Sequence, residues 1–262
     1  IKLRINFPPV NFTLAQPPHL LVISPKDRIE SLREITLRQD ISIEEIEAIE
    51  AAVSELGVSS LVVKLGGIAT YPAYVIDNAN LQFTINTAIE EWLHQYLAFK
   101  PLGFLYALDL VGISRNYEIA TMNETLAGIV SNEIGSILYQ KYYSQYEMGD
   151  GQTEVAGSDF DFNHEMREIR KAVDKYLAQG KIEQAEELME QKRQYLASKG
   201  YYIRKLNQAY FAFHGAYADS PTSVSLIGSE LKTLRDQSAS LSAFLDTVAV
   251  MTGRNDLIDG IK

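Results

Sequence analysis

Two carboxylates and a histidine on one predicted helix, with a further carboxylate on a later helix, are the side chains here that could do chemistry. Glu90 and His94 are four positions apart, so they share a helix face at about 6 Å between their Cβ atoms. Glu91 lies further round that helix, and Glu124 is on the later one. Carboxylate oxygens and imidazole nitrogens bind divalent metal ions, and a carboxylate beside them can act as a general base. The pattern therefore suggests a metal site formed by Glu90, His94 and Glu124.

A plainer interpretation of the first pair remains open. On an isolated helix, Glu90 and His94 would form a weak ion pair on a solvated flank. Glu124 favours the metal interpretation because its helical neighbours are small, which indicates close approach by another element and burial of the carboxylate. A buried carboxylate needs a cation, and the candidates are a metal shared with His94 or the side chain of Arg115. The small neighbours of Glu124 are Ala120, Thr121, Ala127 and Gly128.

The helix that carries Glu90 and His94 must pack on a core. It has apolar residues at positions i, i+3, i+4, i+7 and i+8, which form a complete stripe along one face. The two candidate ligands lie on one flank of that stripe. The stripe consists of Ile89, Trp92, Leu93, Tyr96 and Leu97.

Strand patterns come early in the chain and helical patterns dominate later, which predicts an α+β fold. The first 20 residues contain four prolines and are predicted to be an extended entry segment. A polar, glycine-rich loop near residue 149 suggests a division into residues 1–148, with the strands and motif helices, and 149–262, a helical half packed on it. The predicted strands are 20–24, 28–38, 60–65 and 70–76, the last at a sheet edge because of Pro72. The predicted helices are 43–56, 81–99, 115–143, 163–179, 182–198, 202–218 and 226–252, the last broken near Ser238.

The composition excludes several classes of function. The 262 residues carry a net charge of −10 and show no basic stripe, which argues against a nucleic-acid partner. The chain has no cysteine, so any metal must be held by histidine and carboxylates. No apolar run is long enough to span a membrane. The start at Ile1 rather than Met predicts an upstream segment that has been removed, with a signal peptide or a membrane anchor both open. The compartment is therefore undetermined, and a membrane-anchored or extracytoplasmic location is one expectation.

Two short motifs resemble those of the gluzincin metallopeptidases. Residues 91–94 read Glu-Trp-Leu-His, one position short of the His-Glu-x-x-His motif, and residues 123–127 read Asn-Glu-Thr-Leu-Ala, close to the Asn-Glu-x-x-Ala of the glutamate-ligand helix. The resemblance covers roughly residues 58–138. It implies a zincin-like fold, with a small N-terminal mixed sheet followed by a mostly helical domain. It also implies that residues 71–76 form the edge strand along which an extended peptide substrate binds.

Carried over position by position, the resemblance implies a role for each matching residue. Glu91 would be the general base, His94 the second metal ligand and Glu124 the third. Glu90 stands where the family has its first histidine ligand. A downstream Tyr or His would donate a hydrogen bond to the developing oxyanion, and the candidates, in order, are His214, Tyr210 and Tyr217.

Glu90 is the departure from the family pattern, and it changes the chemistry that we expect. Zinc accepts carboxylate oxygen, so a Glu90, His94 and Glu124 set is chemically sound. Its charge of about −2, against about −1 for two histidines and one glutamate, makes the metal a weaker Lewis acid and shifts preference towards Mn²⁺ or Mg²⁺. The alternative is a site that holds no metal, in a fold that serves as a binding module.

A di-iron helical bundle is another metal interpretation, because such bundles use two Glu-x-x-His pairs. The only other near match is Asp161-Phe162-Asn163-His164, which comes just before a predicted helix. With strands ahead of the helices, this interpretation ranks well below the gluzincin one.

Two hypotheses of different classes follow. The first is a metal-dependent peptidase-like protein that hydrolyses peptide bonds of a peptide or protein substrate with metal-activated water, using zinc or another divalent ion such as Mn²⁺. The second is a catalytically inactive relative that acts as a binding or scaffolding module.

Overall fold

The computed structural model describes residues 7–143, 160–217, 220 and 222–261. The predicted α+β class is confirmed: short strands come first and helices dominate afterwards. The predicted boundary loop near residue 149 lies outside the described residues. The strands are β1 (Phe12–Leu14), β2 (His19–Pro25), β3 (Arg33–Leu37), β4 (Val58–Lys64), β5 (Gly67–Ile68) and β6 (Ala73–Val75). The helices are α1 (Ile43–Ser54), α2 (Leu81–Leu97), α3 (Pro101–Leu110), α4 (Tyr117–Tyr142), α5 (Phe162–Ala178), α6 (Ile182–Ser198), α7 (Gln208–Gly215), α8 (Ile227–Gln237), α9 (Leu241–Ala249) and α10 (Arg254–Ile261).

The chain forms two compact units that are interleaved in sequence. The described residues of unit 1 fall within Ile1–Pro17, Leu65–Ala156 and Leu226–Lys262, and those of unit 2 within Pro18–Lys64 and Gly157–Ser225. This differs from the predicted division into residues 1–148 and 149–262. The reason is packing: α8 and α9 bury their apolar faces against α4, while the strands β2 and β4 pack with α7.

Unit 1 contains a three-stranded sheet and one large core. The sheet has the order β1-β6-β5, and α2 lies against β5 and β6. The predicted apolar stripe of α2 enters the core, where Leu93 and Leu97 are fully buried. Leu126 and Val130 of α4 meet it there, together with residues of α8 and α9. The motif helix is therefore fixed along its length by burial of its apolar face.

The predicted edge position of the strand at 70–76 is wrong. The strand is only β6, and it lies in the middle of its sheet, parallel to β1 and antiparallel to β5. Pro72 precedes its first residue, so the missing N–H costs no ladder bond, and the Ala73 N–H donates to Asn11 O at 3.0 Å. The partner strand β1 comes from the proline-containing segment that was predicted to be an unpacked entry. The edge beside α2 is therefore β5.

Unit 2 contains the second sheet, of order β3-β2-β4, which is antiparallel throughout. Its most buried charged group is Glu50 of α1, which is 3% exposed. The Glu50 carboxylate accepts hydrogen bonds from the Val62 N–H at 2.7 Å, Arg204 Nη1 at 3.0 Å and Lys205 Nζ at 3.3 Å. These partners hold the pKa of Glu50 below its ordinary value despite the opposing effect of burial. Apolar residues of α5, α6 and α7 form a hydrophobic core in unit 2.

The helices of the structure differ from the predicted ones at α3 and α7. α3 was not predicted, because its near-continuous apolar sequence has no helical period. Pro101 occupies its first helical position, where proline is favourable. α7 begins at Gln208 rather than near 202, because Asn207 caps it by accepting from the Tyr210 N–H. The break predicted near Ser238 is confirmed, since α8 ends at Gln237 and α9 begins at Leu241.

In the part of the chain that the structure describes, no helix is both long enough and apolar enough to cross a bilayer.

Two glycines of α4, Gly135 and Gly128, differ in how closely other residues approach them. A Cβ on Gly135 would overlap Asn86 Oδ1. This oxygen accepts a hydrogen bond from Gln82 Nε2 at 2.8 Å, and Asn86 Nδ2 donates to Asn132 Oδ1 at 2.8 Å. A Cβ on Gly128 would meet no atom within 4 Å.

We expect Gly135→Ala to lower the free energy of unfolding by about 1–3 kcal/mol, because the added methyl group displaces this amide network. The matched variant Gly128→Ala should raise it by about 0.5–1 kcal/mol, because alanine restricts the unfolded chain and favours helix. Urea denaturation of the two variants and the wild type measures both effects. Equal stability of the two variants would contradict the close approach at Gly135.

Candidate functional site

Two helices of unit 1 bring the three predicted metal ligands together. Glu90 and His94 come from α2, and Glu124 comes from α4. Each offers one ligand atom, and these three atoms lie within 4.8 Å of one another. The side chains of His94 and Glu124 are 12% and 10% exposed, so the site is nearly closed to solvent. In the described residues no other group of three or more such side chains converges in this way.

His94 is held in a single orientation by its neighbour on α4. Its Nδ1–H donates to Asn123 Oδ1 at 2.8 Å, and Asn123 is fully buried. In the neutral imidazole this bond places the proton on Nδ1, so the lone pair is on Nε2. Nε2 lies 3.7 Å from Glu124 Oε2. Asn123 thus turns the lone pair of His94 Nε2 towards the carboxylate of Glu124, in the way that hydrogen-bond partners orient the histidine ligands of known metal sites.

The two oxygens of Glu124 have different surroundings. Oε1 accepts a hydrogen bond from the Tyr106 hydroxyl, whereas Oε2 is buried with no hydrogen-bond partner. The Tyr106 ring also lies 5.9 Å from the His94 ring, centroid to centroid. Sequence analysis missed Tyr106 because it lies on the unpredicted helix α3. The signal that could have found it is its polar hydroxyl within a run of apolar residues.

Glu91 lies against β5. A Cβ on Gly67 would be 2.7 Å from Glu91 Cγ and 2.7 Å from the Thr87 methyl group, so only glycine leaves room for the carboxylate there. Burial raises the pKa of Glu91 to about 8; the His94 charge opposes this effect, and the charges of Glu90 and Glu124 add to it. Glu91 is therefore a partly buried carboxylate on the same helix as Glu90 and His94, at the edge of the sheet.

The same environment affects the protonation of Glu90 and His94. Burial, followed by the negative charge of Glu124, raises the pKa of Glu90 to about 7. For His94, burial acts to lower the pKa, but the charges of Glu124, Glu91 and Glu90 outweigh it and raise the pKa above its ordinary value. The cluster therefore attracts positive charge, either as bound protons or as a cation.

The geometry fits a divalent cation. Two atoms that are each about 2.1 Å from a tetrahedrally coordinated ion lie about 3.4 Å apart. The 3.7 Å between His94 Nε2 and Glu124 Oε2 is close to that separation and is too long for a hydrogen bond. Glu124 Oε2 has no hydrogen-bond partner, and the basic group that it faces is His94 Nε2. Among the described residues, no Lys or Arg forms an ion pair with Glu90, Glu91 or Glu124, and His94 is the one basic group that does.

Two alternative interpretations of the sequence involve residues that make other contacts in the structure. Arg115, the alternative cation for Glu124, instead pairs with Asp109 at 3.8 Å. The Asp161-Phe162-Asn163-His164 segment is a helix start, because Asp161 Oδ1 accepts from the His164 N–H at 2.9 Å and caps α5. This local contact gives no support to a second metal-ligand pair.

His214, the first candidate for the oxyanion donor, lies on α7 in unit 2, whereas the ligand cluster lies in unit 1. Within its own unit the His214 ring is 4.3 Å from the Tyr210 ring and 5.1 Å from the Phe213 ring, centroid to centroid. Burial lowers the pKa of His214 to about 4 and raises that of Tyr210 to about 12. A neutral histidine packed among aromatic rings accounts for these contacts, and the catalytic role of His214 stays a prediction.

Comparison with known proteins gives no independent assignment: no protein-family model, no curated protein and no solved structure matches this chain.

The raised pKa values predict how the metal-free protein responds to pH. Glu90 and Glu91 bind protons more tightly when folded, at about 7 and about 8 against an ordinary 4.5, and the pKa of His94 is also raised. The stabilisation from these protons is therefore complete at low pH and is lost as pH rises through about 7 to 8. We expect the free energy of unfolding, measured in EDTA, to fall by roughly 2 kcal/mol or more between pH 5 and pH 8.

Glu91→Gln should remove part of that pH dependence. The variant should match the wild type at pH 5 and exceed it in stability at pH 8, because the amide carries no charge to bury. Glu55→Gln, an exposed position in unit 2, serves as the control and should leave the slope unchanged. Stability that rises with pH in the metal-free wild type would contradict the electrostatic picture of this cluster.

Proposed function

We propose that this chain is a metal-dependent peptidase-like hydrolase. Glu90, His94 and Glu124 hold a divalent cation, and Glu91 is the general base. The observation that carries the proposal is the convergence of Glu90, His94 and Glu124, in which Glu124 Oε2 is buried with no hydrogen-bond partner. With Glu90, Glu91 and Glu124 ionised and His94 neutral, the cluster would have a charge of about −3, which is costly to bury. The raised pKa values of Glu90 and Glu91 show that protons offset part of this charge when no cation is bound.

A divalent cation at this position would polarise a carbonyl group and make a water molecule a stronger nucleophile. Residues of the chain would orient the ligands and transfer the proton. Asn123 fixes the His94 tautomer, so that Nε2 is available as a ligand. A positive charge among the ligands lowers the pKa of Glu91, because an opposite charge favours the carboxylate form. Glu91 can then take a proton from water and deliver it to the leaving nitrogen.

The strand β5 supports a peptide as substrate. It is the edge strand next to α2, and its Gly67 is in contact with Glu91. An extended peptide can add to such an edge through main-chain hydrogen bonds. A peptide on β5 would place its backbone beside the proposed base. The edge available to a peptide beside α2 is thus β5 rather than the predicted residues 71–76.

Glu90 affects which metal the site prefers. With two carboxylates and one imidazole, the ligands carry a charge of about −2, which lowers the Lewis acidity of the bound ion. Oxygen-rich sites favour harder ions, so we include Mn²⁺ beside Zn²⁺ as a candidate.

A catalytically inactive binding module is the alternative, and a specific observation favours it. The pKa of His94 is raised by the surrounding carboxylates, so a protonated His94 could neutralise part of the cluster without any metal. In that case, Glu90 marks the loss of the metal site.

Metal content separates the two functions. We expect about one Zn²⁺ or Mn²⁺ per chain after supplementation, measured by elemental analysis, and loss of that ion in His94→Ala. Glu118→Gln, an exposed change on the same helix as Glu124, should keep the metal. A wild type that contains no metal under either supplementation would favour the binding module.

Glu91→Gln tests catalysis separately from metal binding. The variant should keep the metal but lower kcat/KM on a fluorescent peptide library by about 10²–10⁴-fold, because the proton acceptor is lost. Equal activity of the variant and the wild type would rule out Glu91 as the base.

Glu90→His tests the departure from the family pattern. If the three side chains converge on one ion, this change should tighten Zn²⁺ binding relative to Mn²⁺, because it replaces a hard oxygen ligand with imidazole. Competition with a chromophoric chelator measures both affinities. An unchanged Zn²⁺ to Mn²⁺ ratio would show that residue 90 does not touch the ion.

A further inference from the structure

Tyr106 distinguishes the two oxygens of Glu124. Its hydroxyl donates to Oε1, while Oε2 is buried, has no hydrogen-bond partner and lies 3.7 Å from His94 Nε2. A carboxylate can bind a metal through one oxygen or through both. The hydrogen bond to Oε1 favours binding through Oε2 alone.

The chain places Tyr106 there through a tight connection between α2 and α3. Only three residues separate the end of α2 at Leu97 from Pro101, the first residue of α3, and a Cβ on Gly103 would overlap the Leu97 carbonyl group. Gly103 therefore lets α3 fold back against the end of the motif helix. One turn later, Tyr106 faces His94.

The other end of α3 is fixed to the second ligand helix. Asp109 is buried, and its Oδ1 accepts from the N–H of Asn116, the N-cap of α4, at 2.6 Å. Helix α3 is thus fixed to α2 at its start and to α4 at its end. Because its ends are attached to the two helices that carry the ligands, α3 is a rigid support for Tyr106.

We propose that Tyr106 is a positioning residue for the metal centre, which orients Glu124 so that Oε2 alone binds the ion. This inference rests on the proposed function and adds a residue that neither the sequence motifs nor the family resemblance points to. Side chains that hydrogen-bond to a metal ligand and orient it typically contribute about 10–100-fold to metal affinity.

Tyr106→Phe removes the hydroxyl and keeps the ring. We expect Zn²⁺ to bind about 10–100-fold more weakly in chelator competition. The Co²⁺-substituted variant should absorb more weakly in the visible range, because a second oxygen of Glu124 raises the coordination number. Tyr96→Phe is the matched control, since Tyr96 is on the motif helix and stacks on Trp92 at 5.8 Å; both measurements should stay at wild-type values.

A double-mutant cycle shows whether Tyr106 acts through Glu124. In a Glu124→Asp background the shorter side chain moves the carboxylate away from the hydroxyl, so Tyr106→Phe should cause little further loss of affinity. Equal losses in the two backgrounds would overturn the inference, as would wild-type Zn²⁺ affinity and Co²⁺ spectrum in Tyr106→Phe itself. Circular dichroism of each variant confirms that the fold is retained.

The same measurements separate this inference from the proposed function. A wild type that binds Zn²⁺ while Tyr106→Phe binds it equally well overturns the role of Tyr106 alone. A wild type that binds neither Zn²⁺ nor Mn²⁺ overturns the proposed function and this inference together.

Discussion

The packing of α2 against α4 is the constraint on which the candidate site depends. Burial of Leu93 and Leu97 fixes the rotation of α2, and this rotation turns Glu90 and His94 towards α4. The absence of a side chain at Gly135 allows the two helices to meet around the amide of Asn86. A site with ligand atoms a few ångströms apart needs this precision, because a shift of about 1 Å in one helix would separate them.

The electrostatics of the site follow from that packing. Once α2 and α4 are in contact, Glu90, Glu91 and Glu124 lie close together in a region of low solvent access. The raised pKa values of Glu90 and Glu91 show that the ionised form of each side chain is unfavourable in this environment. Proteins rarely keep such costs without a function, and perturbed carboxylates next to a histidine are typical of active and metal-binding sites.

The sequence predicted the features that depend on local periodicity. The stripe of α2, the burial of Glu124 among small residues and the break near Ser238 all follow from side-chain spacing, and the structure agrees. Tyr106 could not be predicted, because α3 is apolar on nearly every face and gives no helical period. The central position of β6 depends on a non-local pairing with β1, and the interleaved units depend on which helices share a core. Neither is encoded in the spacing of neighbouring residues.

Unit 2 provides a comparison within the same chain. Glu50 is buried like Glu124, but it is paired with Arg204 and Lys205 and accepts from the Val62 N–H, and its pKa is held below the ordinary value. This is the usual solution for a structural carboxylate in a core: cations and donors from the chain itself satisfy it. In the described residues, the cluster in unit 1 has three carboxylates, one histidine and no Lys or Arg partner. If its carboxylates served only to stabilise the fold, we would expect partners like those of Glu50. The cluster therefore differs from a structural carboxylate such as Glu50, and a bound cation is the partner that we propose for it.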